Sequence, residues 1–163
     1  MLRPLKQIQE SRHLTAVHDI MSSSPVSVSP TTSVGDLLVL FDRHDFNAFP
    51  VVDEGGHLVG IISKLDVLQF FLAARKGPAP VENSLNTARV GELMGSEIVT
   101  IESRESMAAA GTLMVSTKLR SLPVVERREH ARILVGMLSR GDVLRGLRFQ
   151  LADGTYVRQG RLS

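Results

Sequence analysis

Leu58-Val59-Gly60-Ile61-Ile62-Ser63-Lys64-Leu65-Asp66-Val67-Leu68 returns, 76 residues on, as Leu134-Val135-Gly136-Met137-Leu138-Ser139-Arg140-Gly141-Asp142-Val143-Leu144. An apolar run ending on Ser-x-x-Asp reads as a strand that enters a helix, with the serine at the N-cap and the aspartate reaching back to it. Upstream the match continues at a shift of 73: Phe49-Pro50-Val51-Val52 lies over Leu122-Pro123-Val124-Val125, Pro25-Val26-Ser27-Val28 over Ile98-Val99-Thr100-Ile101, and His18-Asp19-Ile20-Met21 over Gly91-Glu92-Leu93-Met94. Three extra residues between Arg127 and Arg132 account for the change of shift. They fall in a polar turn, where insertions are tolerated. The chain is a duplication.

Each copy reads as β-α-β-β-α. Val26 to Val28 alternates apolar and polar, as a short strand does. Ser33 with Asp36 forms a capping box, and Val34, Leu37, Leu38 and Phe41 fall on one helical face. The second copy carries Met107, Ala110, Gly111 and Met114 there. Pro50 opens a buried strand, Asp53-Glu54-Gly55-Gly56 supplies a tight hairpin turn, and Leu58 to Ile62 reads as a return strand covered on both faces. A helix follows Ser63 to about Leu72. Arg75-Lys76-Gly77-Pro78-Ala79-Pro80 then opens a linker to about Arg89. A short helix is expected within residues 1 to 16, and a polar tail from Gln150.

Of the 163 residues, 43% are apolar and 22% charged, enough to bury a core against the entropy of ordering. No uninterrupted apolar run approaches the roughly 18 residues of a membrane span, and Met1 to Gln7 lacks a signal-peptide core. Cysteine is absent, which removes disulfides, thiolate nucleophiles and zinc-thiolate sites. A soluble cytoplasmic protein is expected. With 19 Lys and Arg against 17 Asp and Glu, the net charge of +2 is too small to attract nucleic acid, and one Tyr with no Trp leaves few stacking platforms. The five histidines show no metal-ligand spacing, and no phosphate-binding glycine loop or nucleophile elbow occurs. Neither an enzyme nor a catalytic cofactor or metal site is expected.

The succession Asp-Ile-Met, Pro-Val-Ser-Val, helix, Phe-Pro-Val-Val-Asp and Leu-Val-Gly-Ile-Ile-Ser-Lys-Leu-Asp-Val-Leu resembles a CBS domain. The two copies together resemble a CBS pair, or Bateman module, over residues 17 to 148. The resemblance implies an α+β fold of two β-α-β-β-α repeats related by a pseudo-twofold axis. The first motif is residues 17–72, a linker residues 73–90, and the second motif residues 91–148, flanked by an N-terminal segment 1–16 and a C-terminal tail 149–163. It further implies a regulatory module that binds an adenosine-containing ligand (AMP, ADP, ATP or S-adenosylmethionine) between its halves. No length remains for an attached effector, so a stand-alone module acting on a separate effector protein is expected. The helices Val34 to His44 and after Met107 carry more apolar residues than one small core covers, which predicts a homodimer joined through helices. An adapter that dimerises and binds a partner without a small ligand is the alternative.

By this resemblance Ser63, Asp66, Ser139 and Asp142 contact ribose, although a capping box alone also explains each Ser-x-x-Asp pair. A carboxylate can accept from both vicinal hydroxyls, and the helix N-terminus beside it favours anions. Arg120, three residues before Pro123, is the implied phosphate ligand, with Lys64 and Arg140 as secondary candidates. Its first-repeat counterpart is the uncharged Asn47. The adenine slot is assigned by resemblance to Val26, Ala48, Val99 and Ser121, for which plain core packing is the competing reading. Met21 and Met94 read as packing residues near the cleft. The pocket around Asp142, which shares its repeat with Arg120, is expected to hold the better phosphate site.

Overall fold

In the computed structural model, residues 15–152 are described; the expected N-terminal helix and most of the polar tail lie outside them. The chain begins with α1 (Val17–Ile20), then α2 (Val34–Arg43), β1 (Ala48–Val52), β2 (Leu58–Ser63) and α3 (Lys64–Ala74). After α4 (Val81–Thr87) the second copy gives α5 (Val90–Leu93), β3 (Ile101–Glu102), α6 (Met107–Thr117), β4 (Ser121–Arg128), β5 (Ala131–Ser139) and α7 (Arg140–Ala152).

Two repeats of the βαββα type are present, with local departures from the sequence reading. Strands β1 and β2 pair antiparallel, as do β4 and β5, each ladder with one irregularity at the equivalent place, Val51/Val52 and Val124/Val125. The opening strand of the first copy is reduced to a single parallel bridge, Val28 to Val51, whereas the second copy keeps β3 parallel to β4. The inserted residues lengthen the β4–β5 hairpin at its outer end instead of forming a loop, and Arg127 there reaches Glu102 at 2.8 Å. The β1–β2 turn needs Gly56, whose φ is +79°. Strand β2 alternates buried and half-buried residues, so it is not covered on both faces as the apolar run suggested.

Helix α2 starts where Ser33 Oγ accepts the Asp36 N–H at 3.0 Å, and it buries Val34 and Leu37 completely. Leu38, expected on the same stripe, is exposed; it lies about 100° round the helix from Leu37, away from the sheet. In α6 Met107, Ala110 and Met114 are buried as their spacing requires. The segment read as a plain linker contains α4, which brings Leu85 against the first core.

There are two cores, and each is completed by the other copy. Val17, Ile20 and Met21 from the first repeat pack with Met107, Leu122, Val124 and Leu138 of the second. Val90, Leu93 and Met94 of the second repeat pack with Leu37, Phe49, Val51 and Ile62 of the first. The exchange is held by backbone bonds in matched pairs: Val17 N–H to Glu105 O at 2.8 Å and Val90 N–H to Thr32 O at 2.9 Å. Isolated bridges obey the same symmetry. Ser22 meets Met137 as Gly95 meets Ile61, Ala16 meets Ser106 as Arg89 meets Ser33, and His57 meets Ile133, its own counterpart, on the axis. Full burial of a side chain such as Met107 or Phe49 contributes about 1.5–3 kcal/mol, and in each core part of that burial is supplied by the exchanged segment.

Candidate functional site

The two Ser-x-x-Asp motifs occupy equivalent strand-to-helix junctions, β2 to α3 and β5 to α7. Ser63 N–H and Ser63 Oγ–H both donate to Asp66 Oδ2, at 2.7 and 2.6 Å, and Asp66 N–H returns to Ser63 Oγ at 3.2 Å. In the second copy Ser139 N–H donates to Asp142 Oδ2 at 2.8 Å and Asp142 N–H to Ser139 Oγ at 3.1 Å. The other oxygen, Asp142 Oδ1, accepts from Arg145 Nη2 at 2.6 Å. Gln69 stands at the first-repeat equivalent of Arg145, so this ion pair belongs to one copy alone. Asp142 is the more sheltered member of the pair, its side chain 16% exposed against 50% for Arg145.

Beside each motif a backbone bond fixes the loop that precedes the central strand. Lys64 N–H donates to Asn47 O at 2.9 Å, and Arg140 N–H to Arg120 O at 3.1 Å. Position 120 is thereby held next to the Ser139–Asp142 turn.

A cavity of about 340 Å³ opens there, at the small end of the range for ligand sites. From the second repeat it is lined by Arg120, Ser121, Met137, Ser139 and Asp142, and from the first by Ser22, Pro25, Val26 and the loop Asp45-Phe46-Asn47-Ala48. Its floor is cross-linked by Ser22 and Met137, which exchange two backbone bonds of 3.0 Å each. Six of the residues singled out from the sequence, Val26, Ala48, Arg120, Ser121, Ser139 and Asp142, therefore meet around one space. Ser63, Lys64, Asp66, Val99 and Arg140 do not line it. Lys64 Nζ lies 5.8 Å from the Phe41 ring centroid, a cation–π distance. The Arg140 guanidinium donates to the carbonyls of Leu119 (2.8 Å) and Lys118 (2.6 Å). Lys118 ends α6 in the left-handed region at φ 62°, and Arg140 satisfies carbonyls that this helix end leaves open. Val99 packs at the margin of the second core.

Asp45 and Phe46 are cleft residues that sequence reasoning missed. Phe46, 42% exposed, stacks on His44 (centroids 5.1 Å apart, rings within 10° of parallel) and meets Phe49 edge-on at 5.6 Å. An aromatic residue in an otherwise polar loop was the available signal. Asp53 and His57 sit away from the cleft; their hydrogen bond, Nδ1 to Oδ2 at 2.9 Å, is the chief cause holding the Asp53 carboxyl below the usual carboxylate value. Among the described residues no three His, Asp or Glu side chains gather to hold a metal, and no helix is long and apolar enough to cross a membrane.

A family model for the CBS domain matches residues 17–73 and again 90–148. The chain belongs to the CBS-domain family. As a tandem CBS pair it is similar to the chloroplastic CBS domain-containing protein CBSX1 of Arabidopsis thaliana, at 32% identity over 139 residues, covering 72% of this chain and 57% of that one. It therefore spans little more than half the length of that relative. A crystal structure of CBSX2, also from Arabidopsis thaliana, in complex with AMP superposes with a TM-score of 0.68 at 30% identity, over 84% of this chain and 98% of that one. The CBS domain pair of protein MJ0100, in complex with 5′-methylthioadenosine and S-adenosyl-L-methionine, superposes at 0.65 with 26% identity and the same coverages.

Proposed function

We propose that this CBS pair is a regulatory module, not an enzyme, that binds an adenosine-containing ligand in the cleft at Asp142 and signals to a separate effector protein. The observation that carries this reading is the convergence of Asp142, Ser139, Arg120, Val26 and Ala48 on one cavity. Structural neighbours solved with AMP and with methylthioadenosine and S-adenosylmethionine support the ligand class. Asp142 accepts the ribose hydroxyls through lone pairs that the Ser139 and Arg145 bonds leave free, and Ser139 Oγ stands beside it. Val26, Ala48, Ser121 and the exposed ring of Phe46 form the adenine slot. Arg120 takes the anionic group at the 5′ end. Ser63, Asp66, Lys64 and Val99 remain proposed for the symmetry-related site, where Lys64 must leave the Phe41 ring to reach a ligand. Arg140 is assigned to the α6 end in preference to phosphate.

The proposed output is a population shift: ligand bridges Val26 and Ala48 of one repeat to Asp142 of the other and favours the closed arrangement. Pairing of two copies through helices is part of the proposal. Between α6 and α7 runs an apolar groove of about 660 Å³, and Val115 and Leu144 on its rim are 70% and 69% exposed.

Calorimetric titration with AMP, 5′-methylthioadenosine and S-adenosylmethionine tests the site. Asp142→Ala is expected to weaken binding by ten- to a hundredfold, the loss of a charged hydrogen bond of about 1.5–3 kcal/mol. Asp66→Ala is expected to change it far less. Absence of binding by the parent protein, or a larger loss for Asp66→Ala, overturns the assignment and leaves the ligand-free adapter in its place.

A further inference from the structure

We infer that the cleft at Asp142 selects its adenosyl ligands by charge, with Asp45 as the residue that turns away polyphosphates; the inference rests on the ligand class proposed above. The basis is the fate of the cations around the cavity. Three basic side chains at or near the Ser-x-x-Asp motifs are already engaged, Arg145 with Asp142, Arg140 with the end of α6, and Lys64 with the Phe41 ring. Among the described residues Arg120 alone carries positive charge into the lining, and it is exposed. Two carboxylates, Asp45 and Asp142, share that lining with it; Asp142 is offset by Arg145, which leaves Asp45 as the unpaired negative charge. Among the described residues no lysine lines the cavity.

Distance makes the Asp45 charge effective. A space of about 340 Å³ is about 9 Å across if taken as spherical, so a bound group sits about a Debye length or less from Asp45 at physiological salt. Asp45 has no ion-pair partner among the described residues, and neither has Arg120. One arginine can pair with a single anionic group, neutralising the carboxylate of an amino-acid substituent and about half the charge of a monophosphate. A second or third phosphate then faces Asp45 with no cation to offset it, and like charges this close repel. A ligand that pairs one anion with a cation, as S-adenosylmethionine does with its carboxylate, ammonium and sulfonium, uses Arg120 and Asp45 together.

The position is specific to this copy. Lys118 stands at the second-repeat equivalent of Asp45 and faces the α6–α7 groove. Asp45 is therefore not fixed by the repeat pattern, as Ser139 and Asp142 are. Its side chain caps no helix and makes no hydrogen bond to another described residue, so its exchange leaves the packing intact.

The experiment is a magnesium-free titration of adenosine, AMP, ATP and S-adenosylmethionine into the parent protein, Asp45→Asn and Asp45→Glu. In the parent, AMP and S-adenosylmethionine bind at least tenfold more tightly than ATP. In Asp45→Asn, ATP gains roughly tenfold and AMP about threefold, adenosine stays within twofold and S-adenosylmethionine weakens. Asp45→Glu keeps the parent order. Raising the salt from about 0.05 to 0.5 M shrinks the ATP gain, because screening acts on charge and not on shape. Binding of adenosine and AMP with an Asp45→Asn effect equal for all ligands overturns the charge selection and leaves the cleft assignment standing. Failure of every adenosyl probe on all three proteins overturns both.

Discussion

Gly136→Ala tests the cleft floor directly. A Cβ built on Gly136 meets Met21 Sδ at 2.5 Å, Met21 Cγ at 3.0 Å and Ser22 O at 2.9 Å. The methionine can swing aside, but the carbonyl is backbone and already accepts from Met137 N–H at 3.0 Å. Overpacking of this kind costs about 1–3 kcal/mol, against which a Gly to Ala exchange recovers about 0.4–1 through the unfolded chain. The expected net loss is about 1–2 kcal/mol. The symmetry-related Gly60→Ala is the internal control: its Cβ collides with Sδ and Cγ of Met94, both on a flexible side chain, and comes no nearer than 3.2 Å to the Gly95 carbonyl. Rotation of Met94 relieves most of that, so the loss there should stay below about 1 kcal/mol. Urea unfolding reads the difference. With a slope of about 2 kcal/mol/M, Gly136→Ala lowers the midpoint by about 0.5–1 M. Nucleotide affinity falls with it, since Ser22 and Met137 line the cavity. A midpoint unchanged in Gly136→Ala, or lowered more in Gly60→Ala, refutes the reasoning.

The α6–α7 groove and the Asp53–His57 pair give two further expectations. Leu144→Lys is expected to convert a dimer to a monomer in light scattering at micromolar concentration, and a monomeric parent removes the pairing proposal. Asp53 has its folded-state pKa lowered by His57, so its contribution to stability is complete above the ordinary carboxylate value and is lost as pH falls through the folded value. Asp53→Asn should therefore flatten the acid limb of the stability profile below about pH 4, read by urea unfolding across the acid range.

The architecture was legible because duplication supplies its own control. Ser63 and Asp66 alone read first as a helix cap; their return as Ser139 and Asp142, with glycine, strand and helix in register, points to a repeated module. What escaped is the part encoded outside the periodic elements. Helices α1 and α5 are four residues each, too short for a helical stripe, and a lone Val17 or Val90 does not announce which core it enters. Helix α4 was hidden by the prolines before it, which signal a turn although Pro80 sits at a tolerated helix start. At the cleft, residues inside the repeat pattern were found and residues in the α2–β1 loop were not. Asp45 and Phe46 gain their place from the fold that brings this loop to Arg120. The diversion of Arg140 depends on the left-handed Lys118, which no local pattern at Arg140 reveals.

The exchanged segments connect the proposed ligand site to the rest of the fold. Met21 packs in the second core, and the next residue, Ser22, forms the cleft floor with Met137. Asp142 lies in the first turn of α7, where the following residue, Val143, is buried in that same core and Leu144 stands on the rim of the exposed groove. Under the proposed function, a ligand drawn between Val26 and Asp142 would pull on elements that share a core, and close-packed cores shift between discrete arrangements more readily than they stretch. The first repeat contributes through the loop after α2 and through Val26, which packs against the other core. Separation of the repeats breaks both cores and the cleft at once. The pair, not the single repeat, is the unit in which both cores are complete.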